Sequence, residues 1–92
     1  MSASPQQRLV VEYRPEEGAL VRMLGLVERR GFRVRRAVTG ELPCGRRATL
    51  AITVEALDPA RSVEILALQL GRLHGVGKVH HETPIFFQEK AA

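Results

Sequence analysis

The chain has 92 residues, 45% of them hydrophobic and 26% charged, which is enough for one small globular domain but leaves little room for an internal catalytic cavity. Its apolar runs are far shorter than the roughly 20 residues that cross a bilayer, so no membrane segment is predicted. A single cysteine excludes an internal disulfide and, with an N-terminal MSASPQQ that has no apolar core, predicts a cytoplasmic protein.

Strand, helix and strand are predicted over Arg8 to Arg36. Apolar residues alternate from Leu9 to Tyr13, which is the period of a strand with one buried face. The apolar period then lengthens to three and four residues, as on the buried side of a helix, at Leu20, Met23, Leu24 and Val27. Gly31 is expected to end this helix because glycine accepts the left-handed conformation of a helix cap, and Phe32 opens the next strand.

The second half of the chain repeats this order. Alternation of apolar and polar residues from Arg46 to Ala56 predicts a strand. Asp58 and Pro59 predict a helix start, because Asp accepts a hydrogen bond from an early helix N–H and Pro fits the first helical position. The helix is expected to run to about His74, ahead of a short strand near 76–82. Its predicted core stripe is Val63, Leu66, Ala67, Leu70 and Leu73.

Two strand-helix-strand units in one chain predict a βαββαβ arrangement, the ferredoxin-like plan of the α+β class. Its four-stranded antiparallel sheet is expected in the order 4-1-3-2, with both helices on one face. The predicted folded domain covers residues 8–82. It lies between a disordered leader at 1–7 and a C-terminal tail at 83–92.

Some apolar residues are left without a place in this core. The second helix has an extra stripe at Ile65 and Leu68, and the tail contains Phe86 and Phe87. The open face of the sheet is expected to carry only small or weakly polar residues, namely Val10, Thr49, Ala51 and Thr53. Such surfaces predict contact with another chain, and the tail has the alternative of folding back over the sheet.

A basic cluster on the second strand comprises Arg33, Arg35 and Arg36, in a chain of net charge +4. A patch of this kind meets water, an acidic protein surface or phosphates. RNA recognition by a ferredoxin-like sheet requires stacking aromatic residues on the central strands, where this chain has small side chains. No nucleic-acid partner is therefore predicted.

The other chemistry-bearing residues predict neither a catalytic site nor a metal or cofactor site. His80 and His81 are adjacent on a strand and therefore point to opposite faces, so they do not readily share a metal. Cys44 lies near Arg46 and Arg47, but no base for nucleophilic catalysis is identifiable beside it.

Gly18 is the most informative single residue, because it lies between an acidic turn and the first helix. Glu16 and Glu17 are interpreted as first-turn residues whose charge meets the helix dipole favourably. A glycine at this point lets a small ligand approach the exposed helix N–H groups, which suit a carboxylate. Local flexibility is the simpler interpretation of the same residue.

Several linked segments resemble the ACT domain, and most closely the small regulatory subunits of acetolactate (acetohydroxyacid) synthase of the isozyme II type. The segments are the helix end ERRGF, the strand LAITV, the helix start PARSV and the helix end QLGRL, and the likeness spans about residues 8–82. The resemblance implies a non-catalytic subunit that dimerises through sheet edges. It also implies binding and activation of a thiamine-diphosphate-dependent catalytic large subunit in branched-chain amino acid biosynthesis.

Longer ACT subunits of this kind bind valine at the dimer interface, near the turn between the first strand and the first helix. The corresponding effector-binding candidates here are Glu17, Gly18, Ala19 and Leu20. Those longer subunits usually carry an Asn-x-Pro-Gly turn and a second domain, whereas this chain keeps only the glycine of the turn. The candidates for binding the catalytic subunit are the exposed residues Arg33, Arg35, Arg36, Ile65, Leu68, Phe86 and Phe87.

Two alternative interpretations remain from other functional classes. One is a stand-alone ACT sensor that binds a free amino acid at a homodimer interface around Gly18 and Ala19. The other is a basic nucleic-acid-binding module, whose retention on DNA or RNA would depend on salt.

Overall fold

The computed structural model describes residues 6–82, which contain four strands and two helices. The elements are β1 (Gln6–Tyr13), α1 (Ala19–Arg29), β2 (Phe32–Glu41), β3 (Ala48–Ala56), α2 (Val63–Gly71) and β4 (Val76–Glu82). Their order is βαββαβ, which confirms the predicted α+β, ferredoxin-like plan. β1 starts at Gln6, slightly before the predicted strand. Phe86 and Phe87 of the tail lie outside the described residues.

The four strands form one antiparallel sheet in the order β2-β3-β1-β4, which is the predicted order. β1 and β3 lie at the centre and pair in an unbroken register along the whole of β1. The pairing of β2 with β3 shifts at Arg35, and the pairing of β4 with β1 shifts between Val76 and Val79. β2 and β4 are therefore the two edges of the sheet.

The core lies between the sheet and the two helices. Alternate residues of the central strands face the helices and are at most 5% exposed, namely Leu9, Val11, Tyr13, Ala48, Leu50, Ile52 and Val54. The helix residues that cover them are Ala19, Met23, Leu26, Val27, Val63, Leu66 and Leu70. Phe32 closes the core at the start of β2. The central strands therefore align two rows of β-branched and leucine side chains under one helical layer.

α1 buries a different stripe from the one predicted. Leu20 belonged to the predicted stripe but is 38% exposed, and Leu24 is only partly buried. The residues that α1 does bury are Ala19, Met23, Leu26 and Val27. Both sets have helical spacing, and the apolar period alone does not choose between neighbouring stripes. Ala19 starts the helix against the core, which turns the next residue, Leu20, by about 100° toward solvent.

α2 begins at Val63 and ends at Gly71, so it is shorter than predicted at both ends. Ser62 is its N-cap, with the hydroxyl oxygen accepting a hydrogen bond from the Ile65 N–H at 3.3 Å. Asp58 instead accepts from the Ala60 N–H at 2.9 Å and so closes a local turn before the helix. Asp makes this bond equally well at a turn and at a helix cap, which explains why the sequence pattern placed the start too early.

Gly31 joins α1 to β2 in a conformation that only glycine adopts easily. Its φ is +88°, and the side chain of Arg61 lies directly over its α-carbon. The Gly31 carbonyl also accepts a hydrogen bond from the Leu57 N–H at 2.9 Å. The start of β2 is thereby tied to the connection that leads from β3 to α2.

Replacing Gly31 by Ala should lower the free energy of unfolding by about 1–2 kcal/mol, because a β-carbon strains the left-handed backbone. The new methyl would also displace Arg61, since a β-carbon built there lies 2.5 Å from its Nε. The matched control is Gly25→Ala in the interior of α1, where the nearest atom is the mobile guanidinium of Arg29 at 3.3 Å. That control should stabilise the domain by about 0.5–1 kcal/mol. Urea unfolding measures both, and equal effects of the two variants would contradict the cap geometry.

Candidate functional site

The turn between β1 and α1 is held in one conformation by its own backbone. The Ala19 N–H donates to the Glu16 carbonyl at 3.0 Å, and the Gly18 carbonyl accepts the first bond of the helix at 3.0 Å. Gly18 is the N-cap with φ +83°, and its position provides no capping side chain. Within residues 6–82, the N–H groups of Leu20 and Val21 have no backbone acceptor. These two donors lie at the positive end of the helix dipole.

The loop between α2 and β4 packs against this turn. The Arg14 N–H donates to the Gly75 carbonyl at 2.8 Å. The Glu16 carboxylate lies 3.5 Å from the Arg22 guanidinium and 3.6 Å from His74 Nε2. Such partly exposed pairs contribute little to stability, but they orient the Glu16 side chain within the turn. The acidic pair lies before the helix and not in its first turn, which corrects the sequence interpretation of Glu16 and Glu17.

The predicted effector-binding residues occupy unequal positions around this turn. Glu17 and Gly18 are exposed, as is Leu20. Ala19 is buried in the core, so it can contribute only its backbone. Glu17 has no ion pair within the described residues. The turn therefore offers N–H donors that suit a carboxylate, next to a carboxylate that suits an ammonium group.

The predicted basic residues lie on edge strand β2 and border a concavity on the open sheet face. Arg35 and Arg36 line this concavity together with Arg8 of β1, and its volume is about 700 Å³. Arg35 lies 3.6 Å from the Glu55 carboxylate, and Arg33 is opposite Glu55 in the register. Arg8 was not among the predicted residues, although its place two positions before Val10 on the open face was a usable signal.

The outer face of α2 carries the two apolar residues predicted to contact a partner. Ile65 is 56% exposed and Leu68 is 64% exposed. Leu68 also borders a groove of about 580 Å³, between α2 and β4, to which Val79 contributes. Val21 on α1 is even more exposed, at 75%, and was not predicted. α2 is therefore apolar both on the side that packs against the core and on the side that is exposed.

Other chemistry is sparse in the part of the chain that the structure describes. No group of three or more His, Cys, Asp or Glu residues is arranged there to hold a metal ion. Cys44 is exposed in the connection between β2 and β3. His81 is bonded to the Gln7 side chain at 2.8 Å. None of the described helices has both the length and the apolar character needed to cross a membrane.

A family model of the ACT domain matches residues 15–79, from the first turn to the middle of β4. The chain belongs to the ACT domain family. The resemblance stated from the sequence is thereby confirmed at the level of the family. No curated protein sequence matches the chain.

Solved structures with the same fold come from several proteins. The acetolactate synthase small subunit from Thermotoga maritima has 23% identity and a TM-score of 0.75, over 88% of this chain and 49% of that one. The C-terminal domain of the MgtC protein from Mycobacterium tuberculosis has 22% identity and a TM-score of 0.71, over 91% and 92%. The ACT domain from the GTP pyrophosphokinase of Chlorobium tepidum has 12% identity and a TM-score of 0.68, over 88% and 100%. At these identities the likeness shows a shared fold, and this ACT domain spans about half of the Thermotoga subunit.

The two N–H groups without an acceptor at the start of α1 predict a specific pattern of amide hydrogen exchange. In the unliganded ACT domain, the N–H groups of Leu20 and Val21 should exchange fast because they have no acceptor. The neighbouring N–H groups of Ala19 and Arg22 should be protected by their bonds to the Glu16 and Gly18 carbonyls. Residue-resolved exchange by NMR measures the contrast. Equal protection of all four amides would show that the start of α1 is capped in solution.

Proposed function

We propose that this ACT domain is the non-catalytic regulatory subunit of an acetolactate synthase, and that it binds and activates the catalytic subunit in branched-chain amino acid biosynthesis. The observation that carries the proposal is the outer face of α2, where Ile65 and Leu68 leave an apolar strip uncovered. A domain with such a strip gains by packing against another chain. The similarity in fold to the Thermotoga small subunit supports a catalytic subunit of acetolactate synthase as the partner. Thiamine diphosphate would be bound by that partner, and this chain needs no cofactor of its own.

The exposed strip is large enough to support activation. Complete burial of an Ile or Leu side chain is worth roughly 1.5–3 kcal/mol, so covering the exposed halves of Ile65 and Leu68 contributes on the order of 2 kcal/mol. Activation requires only that the domain binds the active conformation of the catalytic subunit better than the inactive one. A tenfold activation corresponds to about 1.4 kcal/mol of such preference. The two quantities are of the same size.

The proposal also covers the bounds of the regulatory unit, its location in the cell and its other contact residues. We place the regulatory unit at residues 8–82 and expect it to work in the cytoplasm, where the catalytic subunit would be. Phe86 and Phe87 of the tail are proposed to add apolar contacts to the same partner. Arg33, Arg35 and Arg36 are proposed to face acidic residues of either the partner or a second copy.

Serine substitutions on α2 test the contact with the catalytic subunit. Ile65→Ser and Leu68→Ser should each weaken binding about tenfold and lower the activation of acetolactate formation, because each removes burial worth about 1 kcal/mol or more. The matched control is Leu57→Ser, since Leu57 is 58% exposed in the connection between β3 and α2. Binding is measured by titration of the catalytic subunit with the purified domain, and activation by its turnover. Absence of both co-elution and any change in turnover with the wild-type domain would refute the proposed function.

We further propose that the domain pairs with a second copy through β2. This edge strand is ten residues long, and all of its residues from Arg35 onward are exposed. The β4 edge is shorter, at seven residues, and α2 packs beside it. An unpaired edge of this length presents a row of free backbone donors and acceptors to another strand.

A charge placed on β2 tests the pairing. Val38→Lys should shift the dimer toward monomer by tenfold or more in sedimentation equilibrium, because two copies would bring added cations together beside Arg35 and Arg36. Val21→Lys adds the same charge at an exposed site on α1, outside the sheet, and should leave the association unchanged. Identical effects of both variants, or a wild-type monomer at high concentration, would remove the pairing proposal.

The stand-alone amino acid sensor is supported by a separate observation, the free N–H groups of Leu20 and Val21 next to Glu17. In this alternative, added valine would slow the exchange of those two amides without any catalytic subunit present. Glu17→Gln would weaken the effect, since it removes the carboxylate nearest to the ammonium group. Protection by valine in the isolated domain, combined with no binding to the catalytic subunit, would favour the sensor.

A further inference from the structure

A small groove lies between the C-terminal end of α1 and the side of α2. Its volume is about 170 Å³, which is the size of one or two side chains. The buried residues Phe32 and Leu66 form part of its lining, and Ile65 borders it from the outer face of α2. The groove is therefore continuous with the apolar strip proposed to contact the catalytic subunit.

Gln69 lines this groove and carries an unsatisfied polar atom. Its Oε1 is buried and has no hydrogen-bond partner within residues 6–82. A buried acceptor without a partner destabilises a fold, because the oxygen has lost water and gained nothing in exchange. By contrast, the carboxamide oxygen of Gln7, a partly buried residue of β1, shares a hydrogen bond with His81 Nε2 at 2.8 Å. Gln69 thus needs a donor that the described residues do not provide.

The rim of the groove is positively charged. Arg30 and Arg61 both line it, and neither has a carboxylate within 4.0 Å among the described residues. Asp58 is close in sequence to Arg61, but one of its oxygens is engaged by the Ala60 N–H at 2.9 Å. The site therefore combines an apolar wall, a buried acceptor and two guanidinium groups, which are complementary to an acidic residue on an N–H donating segment.

We propose that this groove is the docking point for an acidic segment of the catalytic subunit, an inference that rests on the proposed function. In the complex, a carboxylate of that segment binds between Arg30 and Arg61. The Gln69 carboxamide rotates toward the groove, so that its Oε1 accepts a hydrogen bond from a neighbouring N–H of the segment. An apolar side chain of the same segment covers Ile65. The three contacts neutralise the charged rim, satisfy the buried acceptor and cover the exposed apolar side chain of the free domain.

A protein segment fits these features better than a free small anion. The groove is shallow and small, so an anion alone would leave Ile65 exposed, whereas a chain segment can span the groove and the apolar strip together. Charge complementarity then fixes the orientation of the segment, and burial of the strip adds affinity.

The central test compares two identical substitutions with opposite expected effects. Gln69→Leu removes the unsatisfied acceptor, so it should raise the melting temperature of the free domain by roughly a few degrees while weakening binding of the catalytic subunit about tenfold. Gln7→Leu removes a satisfied acceptor instead. It should lower the melting temperature and leave binding unchanged. A gain in stability together with a loss of binding distinguishes a docking residue from a structural one.

The charged rim is tested on an exposed residue whose loss does not threaten folding. Arg30→Gln should weaken binding about tenfold and make the affinity less sensitive to salt between 50 mM and 300 mM sodium chloride, because one ion pair with the partner is lost. Arg46→Gln removes the same charge from the connection between β2 and β3, at the other end of β2, and should have neither effect.

The outcomes separate the inference from the proposed function. If the wild-type domain binds the catalytic subunit and both Gln69→Leu and Arg30→Gln bind as tightly as wild type, the docking site is wrong and the regulatory function stands. If Arg30→Gln merely matches Arg46→Gln, the acidic character of the segment is refuted. If the wild-type domain does not bind the catalytic subunit, the proposed function fails and the docking site fails with it.

Discussion

Burial of the central strands under two short helices is the constraint on which the rest of the structure depends. β1 and β3 pair along the whole of β1, and β1 presents three and β3 four fully or nearly fully buried side chains to the helical layer. Because the helices lie on one side only, the other face of the sheet, both edges and the outer sides of the helices stay open. The concavity on the sheet, the β2 edge and the apolar strip on α2 are all such open parts.

The sequence predicted the fold because several independent patterns agreed. Alternation identified the central strands, and Gly31 and Gly75 lie at positive φ between each helix and the strand that follows it. The errors have one cause, which is that local patterns do not fix how an element is rotated or where its cap lies. Leu20 and Ala19 are equally compatible with a buried helix start, and Asp58 and Ser62 are both good cap residues. Contacts made in three dimensions chose between them.

The candidate site was harder to predict, because it depends on residues that meet only through the fold. Ile65 and Leu68 could be recognised from the sequence as a second stripe on one helix. Gln69 could not be singled out, since its role depends on a buried atom lacking a partner. Alternation could have placed Arg8 on the open face, but its proximity to Arg35 and Arg36 depends on the folded sheet. The contact between Glu16 and His74 likewise joins residues from opposite halves of the chain.

The contact between the β1–α1 turn and the α2–β4 loop has a mechanical consequence. The bond from the Arg14 N–H to the Gly75 carbonyl ties the first turn to the segment that directly follows α2. A molecule that displaced this turn would therefore also displace the C-terminal end of α2, the helix that carries Leu68 on its outer face. One backbone hydrogen bond thus couples the position of the turn to the position of the residues that follow α2.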